Sequence, residues 1–125
     1  MKSFLLVMAG GAVGAALRFQ VGRMLSTEAG GWPWHTFIAN VAGGFAIGLL
    51  AGWLARMGTA DNDMRLLLGV GLLGGFTTFS AFSLEMALMV ERGQLVLAAG
   101  YALASVVLAL VALFAGLGIV RAVAA

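Results

Sequence analysis

The chain has no cysteine, one proline and one histidine in 125 residues. Without thiols there is no disulfide framework and no thiolate metal site, and a single histidine cannot form a histidine cluster. Charge is scarce too: Lys, Arg, Asp and Glu make up 10% of the residues. The pI is near 10, but the seven basic side chains are scattered rather than gathered into a run or face, so they read as membrane-flanking charge and not as a nucleic-acid surface. No nucleic-acid partner and no enzymatic activity are expected.

What is abundant is apolar: 62% hydrophobic residues and 19 glycines, with a mean hydropathy of +1.08. No ordinary soluble domain has that composition, and an integral membrane protein is expected. Stretches free of Asp, Glu, Lys and Arg run from Ala29 to Ala55, Leu66 to Leu84 and Gly93 to Val120, each near or above the ~20 residues that span a hydrocarbon core as helix. A shorter one, Ser3 to Leu17, reaches full span only by continuing through Arg18 towards Leu25. The N-terminus could also be read as a cleaved signal, with Met1-Lys2 ahead of an apolar Phe4 to Ala16. The helix reading is preferred because Gly10, Gly14, Arg18 and Gly22 recur every four residues, a small-residue face that a discarded signal does not need. Asn40, Gly44, Gly48 and Gly52 repeat the device, flanked by Trp32, Trp34 and Trp53 as interfacial anchors.

The expected architecture is therefore all-α, a single four-helix transmembrane domain with approximate helices 3–25, 32–57, 64–90 and 94–121. Short connections fall near Ser26 to Gly31, Gly58 to Asp63 and Glu91 to Gly93. Four helices put the N-terminus, the second connection and the C-terminus on one side. Lys2, Arg56, Arg65 and Arg121 fall there, against Arg18, Arg23 and Arg92 on or towards the other. Four against three is almost no bias, so neither orientation should dominate.

Within the apolar third span lies GGFTTFSAFSLE, from Gly74 to Glu85. Two glycines followed by β-branched Thr77 and Thr78 make a poor helix interior, and a break at membrane depth frees carbonyls and amides that need protein, water or an ion. Broken helices mark ion and substrate sites. Phe79 and Phe82 follow three residues apart, with Ser80 and Ser83 alongside. Aromatic rings present a positive edge, so a pair turned edge-on can attract an anion without a full charge. The segment Gly69 to Gly74 also matches GxGxxG, but inside a span it is a product of glycine abundance.

Other polar residues in the spans allow two readings each. Asn40 on its glycine stripe is either a helix-helix hydrogen-bonding residue or a ligand, and Tyr101 and Ser105, one turn apart, are equally open. Arg18 favours a structural cation bonded to carbonyls or a carboxylate over a substrate ligand. His35 reads as an interfacial residue.

The stretches GGFTTFSAFS (Gly74 to Ser83), GAVGAALRF (Gly11 to Phe19) and HTFIANVAGGFAIG (His35 to Gly48) resemble the Fluc (CrcB) family of small dual-topology fluoride channels. With the four-helix length, the resemblance covers essentially the whole chain. It departs from the family pattern at Ala81, where the family often has Thr, and at His35, where it often has Gly. The resemblance implies an antiparallel homodimer in the cell (inner or plasma) membrane that passively exports fluoride from the cytoplasm. It implies that Phe79 and Phe82 are pore phenylalanines and Asn40 a fluoride contact. Tyr101 and Ser105 would line the pathway with Ser80 and Ser83, Arg18 and Glu85 would be supporting charges, and the backbone carbonyls of Gly74 and Thr77 would hold a structural sodium ion at the dimer axis. The other functional classes considered are a small multidrug-type proton-coupled exporter and a non-transporting structural subunit. The exporter needs a carboxylate in its first helix, where this chain has Arg18 and no acid.

Overall fold

The computed structural model describes residues 1–25, 31–57 and 62–124. The expected connections at Ser26 to Gly31 and Gly58 to Asp63 lie largely outside them. The described residues are all helical or connecting, and four helical spans are long and apolar enough to cross a membrane: Lys2–Met24, Trp34–Arg56, Asn62–Glu91 and Leu95–Val123. The chain is a multi-pass membrane protein, as its composition predicts.

The first two spans are single helices, α1 (Lys2–Met24) and α2 (Trp34–Arg56). The third is composite. A turn of α3 (Asn62–Met64) leads into a π-helical run (Arg65–Leu73), then α4 (Gly74–Phe76), three non-helical residues, and α5 (Ser80–Glu91). The fourth is α6 (Leu95–Ala124). The α5–α6 connection is a Schellman turn: Gln94 N–H reaches Met89 O at 2.8 Å and Gly93 N–H reaches Val90 O at 3.0 Å. Gly93 supplies the left-handed φ of 78° this cap needs.

Lipid removes the usual hydrophobic drive for helix association, so close packing has to hold the spans together, and small residues permit it. The α1 stripe lies on the π-helical run and α4. A Cβ on Gly10 would overlap Leu67 O and one on Gly14 would overlap Leu72 O. The α2 stripe lies on α6 in the same way: a Cβ on Gly44 would come within 2.8 Å of Ala109 O, and one on Gly48 would overlap Leu113 O. From the other side, Gly116 faces Phe45 O. Before its break the third span packs on α1, and after it α5 packs on α6. The break thus transfers one span from one helix pair to the other, and the residues around it sit between both.

Candidate anion pathway

The helix stops at Thr77, whose ψ of 157° is extended. Gly74 and Gly75 are still helical, so the break falls in the second half of the segment where it was expected. Thr side chains explain the shift, because they hydrogen-bond locally in place of a continuing ladder. Thr77 Oγ1 donates to Leu73 O at 2.9 Å, closing the last turn. Thr78 Oγ1 accepts from Ala81 N–H at 3.1 Å, opening the next, and lies 3.3 Å from Ser80 Oγ.

Two residues from other helices hold the broken backbone. Asn40 grips Thr78 with both ends of its amide: Oδ1 accepts Thr78 N–H at 2.8 Å and Nδ2 donates to Thr78 O at 3.0 Å. Arg18 Nε donates to Gly75 O at 3.2 Å, the carbonyl-bonded cation its position suggested. These diversions leave two carbonyls without their helical donors. Thr78 N–H, the donor for Gly74 O in an unbroken helix, goes to Asn40, and Ala81 N–H, the donor for Thr77 O, goes to Thr78 Oγ1. Gly74, Thr77, Thr78, Asn40 and Phe79 line one open groove of roughly 350 Å³. In hydrocarbon an unsatisfied backbone carbonyl costs several kcal/mol, so this groove has to meet protein, water or an ion.

On the far side of the break a chain of aromatic rings leads inward. Phe79 is 77% exposed and Phe82 only 5%, their centroids 5.7 Å apart. Phe82 lies 5.0 Å from Tyr101, and Tyr101 meets Trp32 edge-on at 5.3 Å. Tyr101 is fully buried and donates its hydroxyl to Glu85 Oε1 at 2.9 Å. Glu85 Oε2 accepts from Thr36 Oγ1 at 2.8 Å and lies 3.2 Å from His35 Nε2. Ser105, one turn beyond Tyr101, is buried, and its hydroxyl has no hydrogen-bond partner among the described residues.

Most of the residues singled out from the sequence converge here. Asn40, Gly74, Thr77 and Phe79 share the groove. Phe79, Phe82 and Tyr101 form the ring chain, and Tyr101 connects to Glu85. Ser80 is exposed beside Thr78, whereas Ser83 is half-buried. Arg18 stands apart from Glu85, bonded to the other half of the broken span. Two residues were not anticipated at the site. Thr36 and His35 both reach Glu85, so His35 is more than an interfacial residue. Thr78 is the pivot of the break. The i, i+4 spacing of Thr36 and Asn40 on α2 was the available signal.

Taken together, the fold and the site define a small four-helix membrane protein whose third span is broken beside an open groove, with aromatic rings on the far side of the break. Residues 5–117 match the family described as CrcB-like protein, Camphor Resistance (CrcB). The chain is 56% identical over 121 residues to the fluoride-specific ion channel FluC of Novosphingobium aromaticivorans, covering 94% of this chain and 95% of that one. It is 57% identical over 125 residues to the FluC of Phenylobacterium zucineum, covering 98% of each. With the FluC of Caulobacter vibrioides it shares 54% over 125 residues, again 98% of each. The chain belongs to the CrcB-like family, a family of channels and not of enzymes.

Proposed function

We propose that this protein is a fluoride-selective passive channel that exports fluoride from the cytoplasm across the cell inner membrane, working as an antiparallel dual-topology homodimer. The observation that carries the reading is the broken third span, with its diverted hydrogen bonds and adjoining ring chain, in a chain over half identical to proteins named fluoride-specific ion channels. Hydrogen fluoride is a weak acid that crosses membranes neutral and ionises in a less acidic cytoplasm. A channel lets the trapped anion leave down its gradient and the membrane potential.

A small anion gives up its water only if other donors replace it. Ser80 and Ser83 offer hydroxyls next to Phe79 and Phe82 along the chain, and the buried Ser105 hydroxyl, one turn beyond Tyr101, has no hydrogen-bond partner among the described residues. The ring edges attract the anion without presenting a full charge, which suits an ion that must bind and then leave. Asn40 keeps one amide N–H beyond the one given to Thr78.

A structural sodium at the dimer axis fits the donor chemistry: Gly74 and Thr77 offer hard carbonyl oxygens whose helical donors are diverted, on an open groove face. Gly74 and Thr77 would hold it, and it would supply the positive charge that satisfies those carbonyls in place of lipid. A second copy in the opposite orientation would cover the groove and the exposed Phe79, and the near balance of basic residues across the membrane favours such a pair.

Reconstitution into liposomes tests the reading. Fluoride efflux with chloride excluded is the expected result. Drug and proton antiport, or no transport, would overturn it in favour of an exporter or a structural subunit.

A further inference from the structure

The Glu85 carboxylate is held from two helices. Tyr101 of α6 donates to Oε1, and two neighbours in the first turn of α2, Thr36 and His35, meet at Oε2. The hydroxyl partners contribute donors of fixed charge. Imidazole is different: it is the side chain whose ordinary titration range lies between about pH 5 and 8. His35 is 35% exposed. It lies on the wall of a recess of roughly 440 Å³ together with Arg18, Arg23, Thr36, Thr78 and Ala81. The recess therefore touches the break at Thr78 on one side and, through His35 and Thr36, the Glu85 carboxylate on the other.

We infer that His35 is a positioning residue of the anion pathway, pinning the Glu85 carboxylate against α2 and, by its protonation, setting how strongly that carboxylate opposes a passing anion. The inference rests on the fluoride-channel reading. Among the described residues, the ionisable groups that share this recess with the imidazole or bond to it are Arg18 and Arg23 from α1, Glu85 from α5 and, behind the carboxylate, Tyr101 from α6. With His35 neutral, the carboxylate keeps its full charge and counteracts the attraction of the two arginines for an anion. With His35 protonated, the His35–Glu85 pair is neutral and the field of the arginines is left to act. Anion occupancy, and with it conduction, rises as pH falls. The sense suits the task, since external acid is the condition under which hydrogen fluoride enters.

The test is fluoride current through the reconstituted protein in planar bilayers, where neutral hydrogen fluoride carries no current. Between about pH 8 and about pH 5.5 the wild-type current is expected to rise by about three-fold or more. His35→Gln keeps a donor for Oε2 and loses the titration, so its current is expected to be independent of pH whatever its level. His35 is the single histidine of the chain, so ¹⁵N-histidine labelling gives one imidazole signal in the wild-type protein. That signal should change across the same pH range as the current. A wild-type current that is present but flat with pH, or a His35→Gln variant that keeps the same dependence, overturns the inference alone. Absence of fluoride current at either pH overturns the channel reading and the inference with it.

Discussion

Replacing Asn40 with alanine isolates the contact on which the broken span depends. The amide makes two hydrogen bonds to one residue, 2.8 Å from Thr78 N–H and 3.0 Å to Thr78 O. Alanine leaves a donor and an acceptor unpaired at membrane depth, and an orphaned backbone group costs about 1–3 kcal/mol. Both groups together give about 2–6 kcal/mol, and because the open groove lets water reach part of this backbone, about 2–4 kcal/mol is the expected loss of folding stability. Reversible unfolding in detergent or bicelles measures it directly. Asn40→Asp separates the two bonds: the acceptor for Thr78 N–H survives and the donor to Thr78 O is lost, so it should fall between wild type and Asn40→Ala. Fluoride efflux from liposomes should drop by at least about ten-fold in Asn40→Ala, since a loose Thr78 also releases the Ala81 cap and the placement of Phe79. An Asn40→Ala protein as stable as wild type would show that the clamp does not hold the break.

Phe79→Ile and Phe82→Ile keep most of the bulk and lose the ring quadrupole, so each should reduce fluoride flux by about ten-fold or more with the protein still folded; normal flux in both would remove the rings from the mechanism. Gly48→Val would drive a branched side chain into the Leu113 backbone and should destabilise the α2–α6 pair by about 1–3 kcal/mol or more, whereas Gly118→Ala, with open space at its Cβ, should be neutral in the same unfolding assay. About two or three lysines added to the Gly58 to Asp63 connection should drive one orientation and abolish efflux, with rescue by a co-expressed copy carrying lysines on the opposite connections. A uniformly oriented variant that conducts fully alone would refute the antiparallel dimer.

Much of the fold was legible because membrane constraints act on composition. Spans had to be apolar runs of a certain length, and helices without a hydrophobic drive to associate had to show small residues at fixed intervals. The Gly10-Gly14 and Gly44-Gly48 stripes are therefore readable as interfaces from spacing alone, and they are interfaces. The π-helical run from Arg65 to Leu73 was not legible. A wider hydrogen-bond register has no residue signature distinct from an apolar, glycine-rich α-helix. The Glu85 centre was half legible: Tyr101 and Glu85 stood out as polar groups in lipid, but their partner Thr36 did not, since a threonine in a helix can satisfy itself on its own backbone. The break was legible within Gly74 to Phe79 from the glycines and the β-branched threonines, but its fall at Thr77 was not, because it depends on the competing hydrogen bonds that Thr77 and Thr78 supply.

Asn40 shows why two sequence readings of one residue need not exclude each other. As a helix-helix hydrogen-bonding residue it is accounted for by the bonds to Thr78. Those bonds use the carbonyl oxygen and one N–H, and a carboxamide has two. The bond to Thr78 fixes the plane of the amide, so the second N–H has one direction rather than a rotor's freedom. A donor fixed by its own structural bonds loses little conformational freedom on meeting an anion, whereas a free asparagine would have to be ordered at that moment. Structural and ligand roles then reinforce each other in the same side chain. Aspartate, nearly the same shape, keeps the acceptor for Thr78 N–H but replaces both donors with a negative charge beside the path. Loss of conduction in Asn40→Asp should therefore exceed its loss of stability, whereas in Asn40→Ala both fall together. An Asn40→Asp variant whose flux falls only in proportion to its stability would leave Asn40 as a clamp and nothing more.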